Sequence, residues 1–150
     1  GADQAVKIYR DYYETKGQLE AHLYDGIKEI LQQLSQDPSK KIFITTSKNE
    51  PIALEMCKHL GITEYFDGIY GSTPSAFHKA DVLQRAISEN QAPKEQSVIV
   101  GDTKFDLIGG KTVGIKTIAV TWGFGKNETL LAENPDFIAD TTQELWDILE

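Results

Sequence analysis

"SVIVGDTKFDLIGG", residues 97–110, decides the fold. Three β-branched residues, Val98, Ile99 and Val100, run without a polar break into Gly101 and Asp102, and Asp106 follows four positions later. A strand that is apolar at consecutive positions is covered on both faces, as in a parallel sheet. Residues four apart at the start of a helix lie on the same side of it. The segment therefore reads as a buried strand that delivers Asp102 at its end and a helical turn that brings Asp106 back beside it.

The pattern repeats outward from this point. "KIFITT" (41–46) is a second buried strand, followed by a helix over 51–61 that Gly61 closes. A short strand over 66–72, a helix over 78–90 and, after the central segment, a helix over 105–114 continue the alternation. A strand over 116–121, another over 136–140 and a C-terminal helix complete it. Upstream, Ile27, Ile30, Leu31 and Leu34 mark an amphipathic helix at 25–35, and Val6, Tyr9 and Tyr13 predict one over 3–16, ended by Gly17. Such alternation implies an α/β fold, a parallel sheet with helices on both faces. Ligands bind such sheets beyond the carboxyl ends of the strands.

Composition narrows the function. The 150 residues suit one domain, and 40% hydrophobic with 25% charged residues is ordinary for a globular protein. A net charge of −8 argues against a nucleic-acid surface, and no apolar run approaches the ~20 residues of a membrane span. The single cysteine, Cys57, fits a reducing, cytoplasmic setting, and the three histidines show no zinc-ligand spacing.

Five polar residues fall at or just after the strand ends. Thr46 and Ser47 end the strand over 41–46, Lys79 opens the helix after the next strand, and Asp102 with Asp106 follows the strand over 97–101. Two carboxylates, a lysine and a hydroxyl converging on one cleft suit a divalent cation and a phosphate. Each residue also has a plain structural use. Thr103 and Asp106 have capping-box spacing, Ser47 or Asn49 can cap the helix entered at Pro51, and Lys79 can be a surface lysine. A lysine in a first turn opposes the helix dipole, which favours a reason beyond helix stability.

"ITTSK", "HKADVL" and "GDTKFD" resemble motifs II, III and IV of the haloacid-dehalogenase-like phosphatases, and more narrowly of their phosphoglycolate phosphatase-like group. "VTWGFG" (120–125), "NPDFIAD" (134–140) and "LYDGIKEIL" are similar to further segments of that group. The resemblance implies a Rossmann-like core over 23–150, with 1–22 as the C-terminal part of a helical cap. It implies a Mg²⁺-dependent phosphatase, acting on a small phosphorylated metabolite such as phosphoglycolate through an aspartyl-phosphate. Carried over, Asp102 ligates Mg²⁺ and Asp106 supports that metal sphere. Thr46 and the Ser47 backbone bind the phosphoryl group, and Lys79 bridges phosphate and nucleophile.

The family's opening DxDG motif is not in these residues. "YDGI" (24–27) and "FDGIYGST" (66–73) lack its second aspartate and stand in the wrong order. The nucleophile is thus expected outside this chain, and the sheet is expected to lack its first strand, between those at 41–46 and 97–101, until a missing N-terminal segment completes it. These 150 residues alone are expected to be inactive. A receiver-like signalling phosphoacceptor and an inactive phosphate- or metal-binding module are the alternatives; the carboxylates' late position in the chain weighs against the first. Trp122 and Phe124 are expected to pack rather than line a substrate entrance, and His78 to be exposed.

Overall fold

In the computed structural model of the chain, the residues described are 3–6, 9–11, 21–23, 26–123 and 126–150. The strands are β1 (Asp3–Val6), β2 (Tyr9–Asp11), β3 (Ala21–Leu23), β4 (Lys41–Asn49), β5 (Gly68–Ser72), β6 (Ser97–Gly101), β7 (Lys116–Val120) and β8 (Phe137–Ala139). Six of them form one sheet in the order β5-β4-β1-β6-β7-β8, parallel throughout, while β2 and β3 pair antiparallel on their own. The helices are α1 (Ile27–Gln36), α2 (Glu50–Leu60), α3 (Lys79–Asn90), α4 (Lys104–Val113), α5 (Asn127–Leu131) and α6 (Thr142–Leu149).

Alternation along each strand feeds two cores. Ile42 and Ile44 of β4, Val100 of β6, and Ile118 and Val120 of β7 pack with Leu31 and Leu34 of α1, Met56 of α2 and Leu145 of α6. On the other face, Ile99 of β6 meets Leu83 and Ile87 of α3 and Val113 of α4, and Ala119 of β7 meets Leu107 of α4 and Leu130 of α5. Both faces are covered, as the apolar runs require. Removing a side chain such as fully buried Ile99 costs about 2–5 kcal/mol. Gly61 and Gly114 end α2 and α4 with φ of 71° and 86°, a left-handed region that a β-carbon penalises.

Two aspartates anchor the outer strands at the amino end of the sheet. Asp67, just before β5, accepts from the backbone of Ile42 at 2.8 Å and donates its own N–H to the Ile42 carbonyl at 2.7 Å. Asp136, just before β8, accepts from the Thr117 backbone at 2.8 Å. The look-alike "FDGI" thus carries a structural aspartate, at the end of the sheet away from the strand-end residues.

The first residues differ from expectation. Instead of a helix over 3–16, residues 3–6 form β1, which pairs with β4 on one side and β6 on the other, in the slot expected to stand empty. Two apolar strands flanking a gap leave their facing N–H and C=O groups without partners, and a four-residue strand satisfies them. That gain outweighs the helical spacing of Val6 and Tyr9, since local propensity yields to tertiary pairing. The remainder of the cap-like segment at 12–20, Asp25 of "YDGI", and Phe124 lie outside the described residues.

Candidate active site

The site is built at the carboxyl end of the sheet. The β4 ladder pairs Thr45 with Tyr70 and Asn49 with Ser72, so four steps on β4 match two on β5. The surplus is a bulge at residues 46–48, which turns this segment out of the ladder. Gly71 makes the bulge possible, because a β-carbon there would lie 2.6 Å from the Lys48 carbonyl oxygen and from the Glu50 α-carbon. Thr46 is buried, and its hydroxyl oxygen accepts from the Lys48 N–H at 3.2 Å. With its oxygen so engaged, the hydroxyl keeps its proton for donation. Ser47 beside it is exposed, and Asn49, not Ser47, caps α2 by accepting from Ile52 N–H at 3.0 Å.

Lys79 is not a surface lysine. Its side chain is 10% exposed, and its ammonium reaches 2.8 Å from Asp106 Oδ1 and donates to the Thr45 carbonyl at 2.6 Å. The opposition to the α3 dipole is thus offset by a carboxylate and a carbonyl brought from two other elements. Asp106 serves both of its readings at once. Oδ1 pairs with Lys79, while Oδ2 accepts from the Thr103 hydroxyl at 3.1 Å and the Thr103 N–H at 3.4 Å, closing the start of α4. The Thr45 carbonyl and Thr103 hydroxyl escaped the sequence reading of the site. The Thr103-x-x-Asp106 spacing signalled the second, whereas nothing in the sequence marks a backbone acceptor.

Asp102 leaves β6 with 3% exposure. Both acids stand against glycines. A β-carbon on Gly101 would lie 2.7 Å from Asp106 Cγ, and one on Gly123, in the turn after β7, would lie 2.7 Å from Asp102 Cγ. A divalent cation fits this donor set. Asp102 is a hard carboxylate with a glycine where a side chain would crowd it, and Mg²⁺ takes one or two carboxylates along with phosphate oxygens and water. Among the described residues no three His, Cys, Asp or Glu side chains form a closed metal cluster. Asp106, whose two oxygens are already engaged, is suited to support rather than direct ligation.

The neighbouring candidates resolve simply. Trp122 packs against the core containing Ile42 and Leu145, and His78 is exposed at the start of α3, edge-on to Phe77 with ring centroids 5.6 Å apart. The arrangement as a whole offers a hydroxyl donor, an ammonium and a carboxylate at the carboxyl end of one sheet, the groups that phosphate binding with a hard cation requires.

Known proteins are similar to this chain in sequence and in fold. The profile of the family described as haloacid dehalogenase-like hydrolase matches residues 2–120. A phosphoglycolate phosphatase of Vibrio vulnificus is 28% identical over 148 residues, 97% of this chain and 64% of that protein. The tyrosine-protein kinase PtkA of Mycobacterium tuberculosis is 35% identical over 127 residues, 83% of this chain and 43% of that protein. Among solved structures, the haloacid dehalogenase-like family hydrolase SP0104 of Streptococcus pneumoniae superposes with a TM-score of 0.82 at 44% identity, covering 87% of this chain and 61% of that one. The chain thus spans less than two thirds of these relatives. With a family profile over most of its length and a structural relative at 44% identity, the chain belongs to the haloacid dehalogenase-like hydrolase family.

Proposed function

We propose that these residues form the phosphate- and metal-binding part of a phosphatase for small phosphorylated metabolites. The observation that carries this reading is the buried Lys79–Asp106 pair, 2.8 Å apart, at the same sheet end as Thr46 and Asp102. A lysine held in place by a carboxylate and a carbonyl presents a fixed positive charge, which phosphoryl transfer needs because it depends mainly on positioning and charge neutralisation. In this reading Lys79 neutralises the phosphoryl oxygens, Thr46 donates its hydroxyl proton to one of them, and the Ser47 N–H stands beside it. Asp102 holds Mg²⁺, which when bound neutralises phosphate charge and aligns the phosphoryl group. Asp106 keeps Lys79 in place and supports the metal sphere from behind.

Hydrolysis through an aspartyl-phosphate requires one further carboxylate as nucleophile. Asp140, after edge strand β8, is exposed and accepts from the Thr121 hydroxyl at 2.7 Å, and the sequence after the central strand β1 continues with Lys7 and Ile8. We assign the nucleophile to a segment outside this chain, and phosphoglycolate is the first substrate to try within a class that includes sugar phosphates, nucleotides and pyrophosphate. The same observation favours a second reading, a module that binds phosphate without turning it over.

Release of inorganic phosphate from phosphoglycolate and p-nitrophenyl phosphate, measured on the protein that also carries the nucleophile segment and followed with Mg²⁺ and then with a chelator, separates the two. The phosphatase reading expects Mg²⁺-dependent release that falls at least ~100-fold in Asp102→Asn. Phosphate binding without turnover selects the binding module, and turnover indifferent to both chelator and Asp102→Asn removes the metal assignment.

A further inference from the structure

Two adjacent glycines of α4 face different neighbours. A β-carbon on Gly110 would lie 2.6 Å from Ile99 Cγ2 and 2.9 Å from Thr117 Cγ2, so Gly110 lets the helix settle onto the sheet. A β-carbon on Gly109 would meet Lys79 Cγ at 3.1 Å, with every other atom at 3.7 Å or beyond. Among the described residues its single tight neighbour is therefore the stem of the lysine whose ammonium lies between Asp106 Oδ1 and the Thr45 carbonyl.

We infer that Gly109 is a positioning residue for Lys79: its missing side chain is the channel along which the lysine stem crosses α4 to reach both acceptors. The helix turn explains the geometry. Asp106 and Gly109 are three apart, so they lie one above the other on the face of α4 turned to α3. Lys79 runs over Gly109 and ends on Asp106. A methyl group at 109 meets a flexible side chain rather than backbone, so the lysine gives way and the fold does not. Alanine is also the better helix former at that position. Substitution should therefore leave the fold intact while displacing the ammonium by a few tenths of an ångström from its acceptors. The functional part of this inference rests on the phosphate reading of Lys79, whereas the positioning part stands on the packing alone.

The test compares Gly109→Ala with Gly110→Ala. The first measurement is the rate of reductive methylation of Lys79 at neutral pH, read by peptide mass spectrometry; the others are the melting temperature and the affinity for inorganic phosphate by calorimetry. The inference expects Gly109→Ala to keep its melting temperature, to label Lys79 severalfold faster, and to bind phosphate on the order of tenfold more weakly. Gly110→Ala should lose melting temperature without faster labelling of Lys79 in the native state. Unchanged labelling of Lys79 in Gly109→Ala overturns the inference, whatever phosphate does. Faster labelling with phosphate affinity unchanged upholds Gly109 as the lysine's channel and refutes instead the phosphate role of Lys79.

Discussion

Asp106→Ala should be among the most damaging single changes in the protein. The pair it breaks is nearly buried, with side-chain exposures of 10% for Lys79 and 2% for Asp106 and a separation of 2.8 Å. Removing the carboxylate leaves the Lys79 ammonium, nearly buried, with the Thr45 carbonyl but without its opposite charge, and breaking such a pair costs about 3–5 kcal/mol. For a chain of this size each kcal/mol lowers the melting temperature by roughly 2–4 °C, so a fall of about 6–20 °C is expected. Lys79→Met should cost less, because Asp106 keeps its bonds from the Thr103 hydroxyl and N–H and stays partly satisfied. The double variant Lys79→Met/Asp106→Ala removes both charges and should be more stable than the two single losses added together, as expected for groups in direct contact. Urea unfolding of the four proteins at pH 7 measures all of this. Repeating it in about 1 M salt, where the Debye length is ~3 Å, separates a buried pair from a screened surface one. A loss below ~1 kcal/mol for Asp106→Ala, or a coupling that vanishes in salt, would refute the reasoning.

Other consequences follow from single groups. Burial pushes the Cys57 thiol from 9.0 up to about 11, so the native protein should resist aromatic disulfide reagents at pH 8 and react fully once unfolded. Because the unfolded chain loses that proton first, stability should decline by about 2–3 kcal/mol as pH rises from 9 to 11, a decline missing from Cys57→Ala. Asp67→Ala and Asp136→Ala each strip a carboxylate from a strand N–H, at Ile42 and Thr117, and each should cost ~1–3 kcal/mol in urea titrations. Gly123→Ala places a methyl group against Asp102 and should weaken Mg²⁺ affinity in calorimetry more than it lowers the melting temperature.

The parts of the fold legible in the sequence are those where one period runs long enough to be read. Val98–Val100 and Ile42–Ile44 announced strands covered on both faces; the structure sends Val100 and Ile99 into opposite cores and buries Phe43 beside Tyr70 while Ile42 and Ile44 join the first core. Leu31 and Leu34 announced the buried side of α1. The alternation also put Thr46 and Asp102 at strand ends and Lys79 and Asp106 in the first turns of the helices that follow, where the structure has them. What escaped was short or set by distant partners. Helix α5 has five residues with only Leu130 buried, too few to show a period. The residues of β1 carry a helical spacing and become a strand because β4 and β6 leave a slot that must be paired. The bulge after Thr45 depends on Gly71 of the neighbouring strand. Lys79 resembled a surface residue because its two acceptors come from β4 and α4, far from it in sequence.

The most direct test of the account is calorimetric titration of inorganic phosphate into the protein, with and without Mg²⁺, for the unsubstituted chain, Lys79→Ala and Asp102→Asn. Phosphate bound in the unsubstituted protein, tightened by Mg²⁺, lost in Lys79→Ala and made indifferent to Mg²⁺ in Asp102→Asn is the predicted result. Phosphate binding that neither substitution changes, or no binding at all with Mg²⁺ present, would contradict the site.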